Sequence, residues 1–250
     1  MSSAASSRSA PQGREDPSSG PERALLLDFG GTLDSDGQHW STQFAQAFTD
    51  VQLSVERGAL DRAFLAADGE LRVLPGIAQL DLRSHVLAQA RLMLARLDLS
   101  VDLGDAVAEA FVSRSVCHLD RSRRILERHR DRCLYGLVSN FTPNLPRIVE
   151  QSGLSHLVDT VVCSELEGVA KPDPALFRIA LDRLGVAPGQ AAMVGDSLAS
   201  DIVPARGLGL TTCWIRGDMV FVADDARAAH HVVRSLSQAI ECLEQDGFFG

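Results

Sequence analysis

Six short runs constrain what this chain can fold into more than any other feature. Residues 24–28, 134–139, 158–163, 191–195 and 210–215 are almost continuously apolar, and a weaker sixth run lies at 230–233. A strand with one face in water alternates apolar and polar residues, whereas an unbroken apolar run is covered on both faces. Helical patterns follow at 144–151, 174–184, 198–207 and 234–244, between the later runs and after the last. Strands of this kind joined by helices predict an α/β fold, a doubly wound parallel sheet.

One interval breaks the alternation. Between Leu33 and Leu134 no strand pattern stands out, and helical patterns fall at roughly 41–49, 56–68, 77–97 and 105–117. Leu80, Leu87, Leu94 and Leu97 are compatible with one buried stripe on the third of these. An all-helical insertion after the first strand is predicted to form a second, smaller module over the carboxyl edge of the sheet. The expected division is 23–35 and 118–250 for the α/β core and 36–117 for the helical module. Residues 1–22, dense in Ser, Ala, Pro and Gly, bury too little surface to offset chain entropy and are expected to be disordered.

A net charge of −9 argues against nonspecific nucleic-acid binding, which needs a basic surface. The arginine-rich stretch Arg121-Ser122-Arg123-Arg124 reads as a solvated helix face with Glu127 and Arg128. Five cysteines without a CxxC pair indicate neither a disulfide framework nor a zinc site, and Cys133, Cys163 and Cys213 read as core residues. No apolar stretch approaches the ~20 residues that span a bilayer. The start lacks the apolar region of a signal peptide. The expectation is a soluble, reduced, cytoplasmic monomer or homodimer with a small-molecule partner, and no nucleic acid or membrane.

Chemistry-bearing residues sit where the apolar runs end, the place where open α/β sheets bind ligands. The first run passes into Asp28-Phe29-Gly30-Gly31-Thr32-Leu33, and the second closes on Ser139-Asn140. Lys171-Pro172-Asp173-Pro174 precedes the fourth run, which ends in Gly195-Asp196-Ser197, with Asp201 five residues past Asp196. A carboxylate nucleophile, a hydroxyl, a lysine and paired acids suit phosphoryl transfer through an aspartyl-phosphate. Hard oxygen ligands with no His or Cys nearby favour Mg²⁺ over zinc. Taken singly, Asp28 also reads as a turn residue and Asp201 as an acid at a helix N-terminus. Thr142-Pro143 reads as an N-cap and first helical position, which would set phosphate against a helix N-terminus beside Ser139. Asp173 is expected to cap a helix begun by Pro174, and Thr32 to hydrogen-bond within its loop.

In order and spacing these segments resemble the haloacid dehalogenase-like hydrolases, largely Mg²⁺-dependent phosphatases. The resemblance implies a Rossmann-like core with a helical cap of the first structural type. It implies Asp28 as nucleophile, with Ser139 and Lys171 completing the catalytic set. Gly31, Thr32, Ser139, Asn140 and Lys171 would bind the substrate phosphate. Mg²⁺ would be held by Asp28, Asp196 and the Gly30 carbonyl, with Asp201 behind them. The expected reaction is removal of phosphate from a small phosphorylated metabolite.

The chain departs from the family pattern at one position. Phosphatases of this family usually carry a second Asp two residues after the nucleophile as general acid and base; here that residue is Gly30. Dehalogenating relatives carry an aromatic residue there, and phosphonate-cleaving ones an Ala with a cap lysine. Lys171 is the only lysine in the chain, which excludes the phosphonatase route. Three accounts stay open for the missing acid. Asp34, Asp36 or His39 replaces it; the substrate has a good leaving group such as an acyl phosphate; or Asp34-Ser35-Asp36-Gly37 is only a turn. A 2-haloacid dehalogenase and a non-catalytic phosphate-binding regulator are the alternative functions. His39-Trp40 marks the mouth of the cap, as hinge packing or as a substrate contact. His85, His118, His129, His156, His230 and His231 form no ligand-spaced cluster and are assigned no chemistry.

Overall fold

The structure, a computed structural model, describes residues 23–217 and 227–249. The segment 1–22 expected to be disordered lies outside the described residues. Six parallel strands form one sheet: β1 (Ala24–Leu27), β2 (Leu134–Ser139), β3 (Thr160–Cys163), β4 (Ala191–Gly195), β5 (Thr211–Ile215) and β6 (His231–Val233). Their spatial order is β3-β2-β1-β4-β5-β6, so the chain reverses direction of growth beside β1. Leu27 at the end of β1 pairs in register with Leu137 of β2 and Val194 of β4. The crevice at that switch point is where a ligand is expected.

The unbroken apolar pattern of the strands has a direct cause. Leu25 and Leu27 point into one hydrophobic cluster with Tyr135, Leu137, Ala192 and Val194. Ala24 and Leu26 point into the opposite one with Val138, Met193, Leu176 and Phe177. Successive side chains alternate faces, and both faces are covered. Cys133, Cys163 and Cys213 are fully buried in this core, as expected.

The insertion is all helical: α1 (Trp40–Asp50), α2 (Arg57–Arg72), α3 (Leu82–Arg96) and α4 (Gly104–Glu127). The buried stripe of α3 differs from the expected one. Leu82, Val86, Ala90 and Met93 face inward, at a 3–4 residue spacing, together with Leu94. Leu80 falls before the helix, whose start Asp81 caps through Ser84 N–H, and Leu97 is the cap at its other end. Helix α4 also runs ten residues past the expected end at 117. Leu119 and Leu126 continue its buried face, and Ser122 Oγ donates to the Leu33 carbonyl at 2.8 Å. Arg121 and Arg124 on the same helix are exposed, and Arg123 pairs with Asp120 and Glu127.

The remaining helices are α5 (Leu145–Gln151), α6 (Ser164–Glu167), α7 (Pro174–Leu184), α8 (Val203–Leu208) and α9 (Leu236–Gln245). The cap of α5 falls on Asn144 rather than Thr142, and its proline is Pro146 in the first turn. The expected helix at 198–207 starts as a wider π-helical turn, Leu198–Ile202, before α8. Pro204 has no N–H to give the preceding turn, and Ile202 N–H reaches back to Ser197.

Candidate active site

The carboxyl edge of the sheet gathers four ionisable groups into one cluster, with Asp28, Lys171 and Asp201 buried and Asp196 half-buried. Asp28 follows β1 and is tied to the neighbouring strand by its N–H on the Val194 carbonyl at 3.1 Å. Lys171 Nζ donates to Asp28 Oδ1 at 2.8 Å and to Asp201 Oδ1 at 2.5 Å. Asp201 Oδ2 accepts from Ser197 N–H at 2.9 Å, so both its oxygens are engaged. The Lys171 turn is itself clamped: Asn140 takes the Lys171 N–H on Oδ1 and donates from Nδ2 to the Lys171 carbonyl. Asp173 caps α7 through Ala175 N–H, as the sequence predicts.

Asp28, Asp196 and Asp201 each offer a carboxylate oxygen, all within 4.8 Å of one another. Among the described residues the Asp196 carboxylate accepts no hydrogen bond. One ammonium faces three carboxylates. Burial, then the charges of Asp28 and Asp201, push the Asp196 carboxyl well above the usual range. Burial also raises Asp201, to about 6, against the pull of Lys171. The lysine is held charged: burial works against its ammonium, but Asp201 and Asp28 outweigh that and raise its pKa. Excess buried negative charge facing an open space is the condition under which a divalent cation is bound, and the donors are hard oxygens. The residues fit Mg²⁺.

The loop after Asp28 is shaped by what surrounds it. Gly30 is extended, while Gly31 has φ +88, a left-handed conformation that side chains disfavour. A Cβ at Gly31 would stand 2.3 Å from Asp196 Oδ2. Thr32, expected to bond within the loop, has a buried hydroxyl with no partner among the described residues. Close packing seals it under the loop without an acceptor in reach.

A cavity of about 270 Å³ opens above the cluster. Asp28, Gly30, Ser139, Asn140, Lys171, Asp196 and Asp201 line it, while Gly31 and Thr32 do not. Asn140 meets it with both amide groups already engaged on Lys171. The helical module supplies the opposite wall from His39, Trp40, Phe64, Leu65, Asp68, Arg72 and His85.

The structure also decides among the residues near Gly30. Asp34 is fully buried, with Oδ1 on Gly31 N–H at 2.7 Å and Oδ2 on the Trp40 indole N–H at 2.5 Å. Burial drives its carboxyl to about 7 against those two bonds. Asp36 faces away from the cavity, toward Arg121 (3.1 Å), His118 (3.6 Å) and the Leu236 N–H (3.2 Å). His39 does line the cavity, and its Nδ1 accepts the Ser41 N–H at 3.2 Å as the cap of α1. Trp40 is a packing residue and a cavity wall at once, edge-on to Phe44, Phe111, Phe141 and His85.

Sequence reasoning missed His85. It stacks on Phe141 at 5.2 Å, with Nδ1 3.2 Å from Asn144 Nδ2, and burial lowers it to about 4. The available signal was a lone polar residue on the apolar face of α3. Asp68 and Arg72 extend that wall; Arg72 bridges Asp68 at 3.0 Å and reaches Glu165 of the core at 2.5 Å.

An acid–lysine cluster at the switch point of a parallel sheet, beside a helical insertion, is the site of an α/β protein that binds its ligand at the strand ends. The chain belongs to the haloacid dehalogenase-like hydrolases, whose family model matches residues 22–209. It is 40% identical over 92 residues to a phosphoserine phosphatase of Thermus thermophilus, covering 36% of this chain and 37% of that protein. It is 37% identical over 95 residues to a glyceraldehyde 3-phosphate phosphatase of Pyrococcus furiosus, covering 37% and 40%. The aligned stretch thus spans about two fifths of the length of these curated relatives. Among solved structures, a HAD phosphatase from Thermococcus onnurineus superposes with TM-score 0.53 at 23% identity, over 88% of this chain and 97% of that one. The L-2-haloacid dehalogenase from Xanthobacter autotrophicus gives 0.55 at 15%, over 89% and 98%. Both likenesses are of fold. Among the described residues, no helix is long and apolar enough to cross a membrane.

Proposed function

We propose that this chain is a Mg²⁺-dependent phosphatase of small phosphorylated metabolites that works through an aspartyl-phosphate on Asp28. The observation that carries this reading is the set of Asp28, Lys171, Asp201 and Asp196 on the floor of one cavity. The phosphatase names of the relatives support it.

In this reading Asp28, Asp196 and the Gly30 carbonyl hold the cation, and Asp201 orients Lys171. Bound Mg²⁺ neutralises the carboxylates and the incoming phosphate and polarises the phosphoryl oxygens. Lys171 and Ser139 hold two of those oxygens, and Asn140 keeps the Lys171 turn in place. Asp28 attacks phosphorus in line with the leaving oxygen, and water then releases phosphate from the acyl phosphate. Fixed charges that are already oriented carry most of such a reaction.

The test is turnover of an aryl phosphate with Mg²⁺, without it, and with Asp28→Asn. Activity that survives EDTA, or an Asp28→Asn variant at full rate, overturns the reading. A metal-independent haloacid dehalogenase has no use for the unpartnered Asp196 carboxylate. Chloride release from a 2-haloacid without Mg²⁺ would reverse that choice.

A further inference from the structure

A phosphatase cycle ordinarily uses one group to protonate the leaving oxygen and then to deprotonate water. Each described residue near Gly30 that could do so is blocked in its own way. Gly30 has no side chain, and the space is taken: a Cβ there would lie 3.2 Å from Trp40 Nε1. Trp40 is fixed by Asp34, whose two oxygens are both bonded and sealed from the cavity.

Two histidines reach the cavity, each pinned through Nδ1. His39 accepts the Ser41 backbone N–H, so its ring proton resides on Nε2. Accepting a second proton would break the helix cap, and losing the first would leave an imidazolate. Burial lowers its pKa, against Asp28, Asp68 and Asp61 and with Arg57. Asn144 Oδ1 takes the Thr142 hydroxyl at 2.6 Å, which turns its amino group to His85 Nδ1 and places that ring proton on Nε2 too. In this arrangement neither ring holds Nδ1 free to take up a proton from the cavity. Asp68 is paired with Arg72, and the other acids are the cluster itself.

Resting on the phosphatase reading above, we propose that Trp40, locked over Gly30 by Asp34, removes general acid–base help from this site. The pocket then takes phosphoryl donors with weakly basic leaving oxygens, acyl and aryl phosphates, and the phosphoryl group stays on Asp28 after that leaving group has gone. In the first step the Asp28 Oδ–P bond forms and the P–O bond to the leaving group breaks. The electron pair departs on a carboxylate or phenolate that needs no proton from the protein. In the second step water adds to phosphorus, the Oδ–P pair returns to Asp28, and the water proton passes to solvent. With no base among the described residues to take that proton, the second step is the slow one.

The experiment uses the full chain with Mg²⁺ and three donors: acetyl phosphate, a series of aryl phosphates and an alkyl phosphate such as glycerol phosphate. The expected result is at least ~10²-fold faster turnover of the acyl and aryl donors than of the alkyl one, the usual worth of a missing acid. Rapid mixing should show a burst of about one phenolate per protein, with phosphoprotein trapped by acid quench. Alkyl turnover within tenfold of aryl, or no burst, overturns the inference and leaves the phosphatase reading standing. Loss of Mg²⁺ dependence, or full activity of Asp28→Asn, overturns the reading itself. The pair Trp40→Gly and Gly30→Asp/Trp40→Gly gives a second arm. In folded protein the double variant should gain on alkyl over aryl phosphate at least tenfold relative to Trp40→Gly, and an unchanged ratio counts against the proposal. Should either variant fail to fold, the wild-type slope and burst decide.

Discussion

Trp40 donates its indole N–H to Asp34 at 2.5 Å, and that bond holds the ring against Gly30. Asp34 also takes the Gly31 N–H, so one buried carboxyl fixes both the loop after Asp28 and the first residue of the helical module. Asp34→Asn keeps one acceptor oxygen and turns an amino group on the other donor. The variant should lose about 1–3 kcal/mol in urea denaturation, the cost of a buried donor left unmatched. Trp40 emission should shift as well. Unchanged stability and emission would show that the bond does not hold the ring.

The same carboxyl gives a pH dependence. An unfolded aspartate ionises near 3.8, whereas folded Asp34 keeps its proton to about 7. Between these values the unfolded state releases a proton that the folded state retains, so stability falls as pH rises through the window. Asp196 and Asp201, both raised, act in the same direction in the metal-free protein. Asp34→Asn should flatten this fall in a series of denaturation curves from pH 4 to 7. A slope identical to wild type sinks the assignment.

Among the described residues Asp196 is the carboxylate of the cluster with no hydrogen-bond partner, and its removal should relieve repulsion. In EDTA, Asp196→Asn should melt higher than wild type, by about 2–4 °C for each kcal/mol gained. Mg²⁺ should raise the wild-type melting temperature and leave the variant's unchanged, because a ligand that binds the folded state stabilises it by mass action. A variant that still responds to Mg²⁺ would mean the cation sits elsewhere.

Lys171→Met strips from Asp28 and Asp201 the one cation that pairs with them among the described residues. Breaking a buried pair by removing one partner costs about 3–5 kcal/mol, most of it from the charges left behind. Stability should therefore drop by that order in EDTA and recover in part with Mg²⁺. Hydrolysis should not recover with it. Wild-type stability in EDTA would show that the two aspartates are neutral without the lysine.

The sheet was legible because parallel strands buried on both faces leave unbroken apolar runs, and residues 134–139 and 191–195 match β2 and β4. The acidic cluster was legible because strand ends in such sheets converge, which brings Asp28, Lys171, Asp196 and Asp201 together from distant segments. What escaped depends on packing between elements. Nothing local says that Trp40 fills the space beside Gly30, or that Asp34 turns inward while Asp36 turns out to Arg121. The stripe on α3 is not legible from its leucines, because the polar side chains of His85 and Gln89 share its buried face. The cap of α5 moved from Thr142 to Asn144 because both side chains are drawn into the contact with His85.

That contact makes the last prediction. His85 is almost wholly buried between Phe141 and Trp40, and Asn144 holds its Nδ1 as an acceptor. Its folded pKa is depressed to about 4, while an unfolded histidine titrates near 6.5. As pH falls from 6.5 toward 4, the unfolded state gains a proton that the folded state refuses, so the His85 contribution to stability declines across that window, opposing the slope set by Asp34. The full shift corresponds to about 3 kcal/mol at 1.36 kcal/mol per unit. His85→Gln should steepen the fall in stability with rising pH between 4 and 6.5, because it removes the term that opposes Asp34, without altering stability at pH 8 by more than a repacked polar side chain would. Imidazole proton resonances should agree: the His85 signal should stay fixed until pH nears 4. If His85 titrates near 6.5 in the folded protein, its Nδ1 is not pinned, and it becomes available as the proton shuttle that Gly30 lacks.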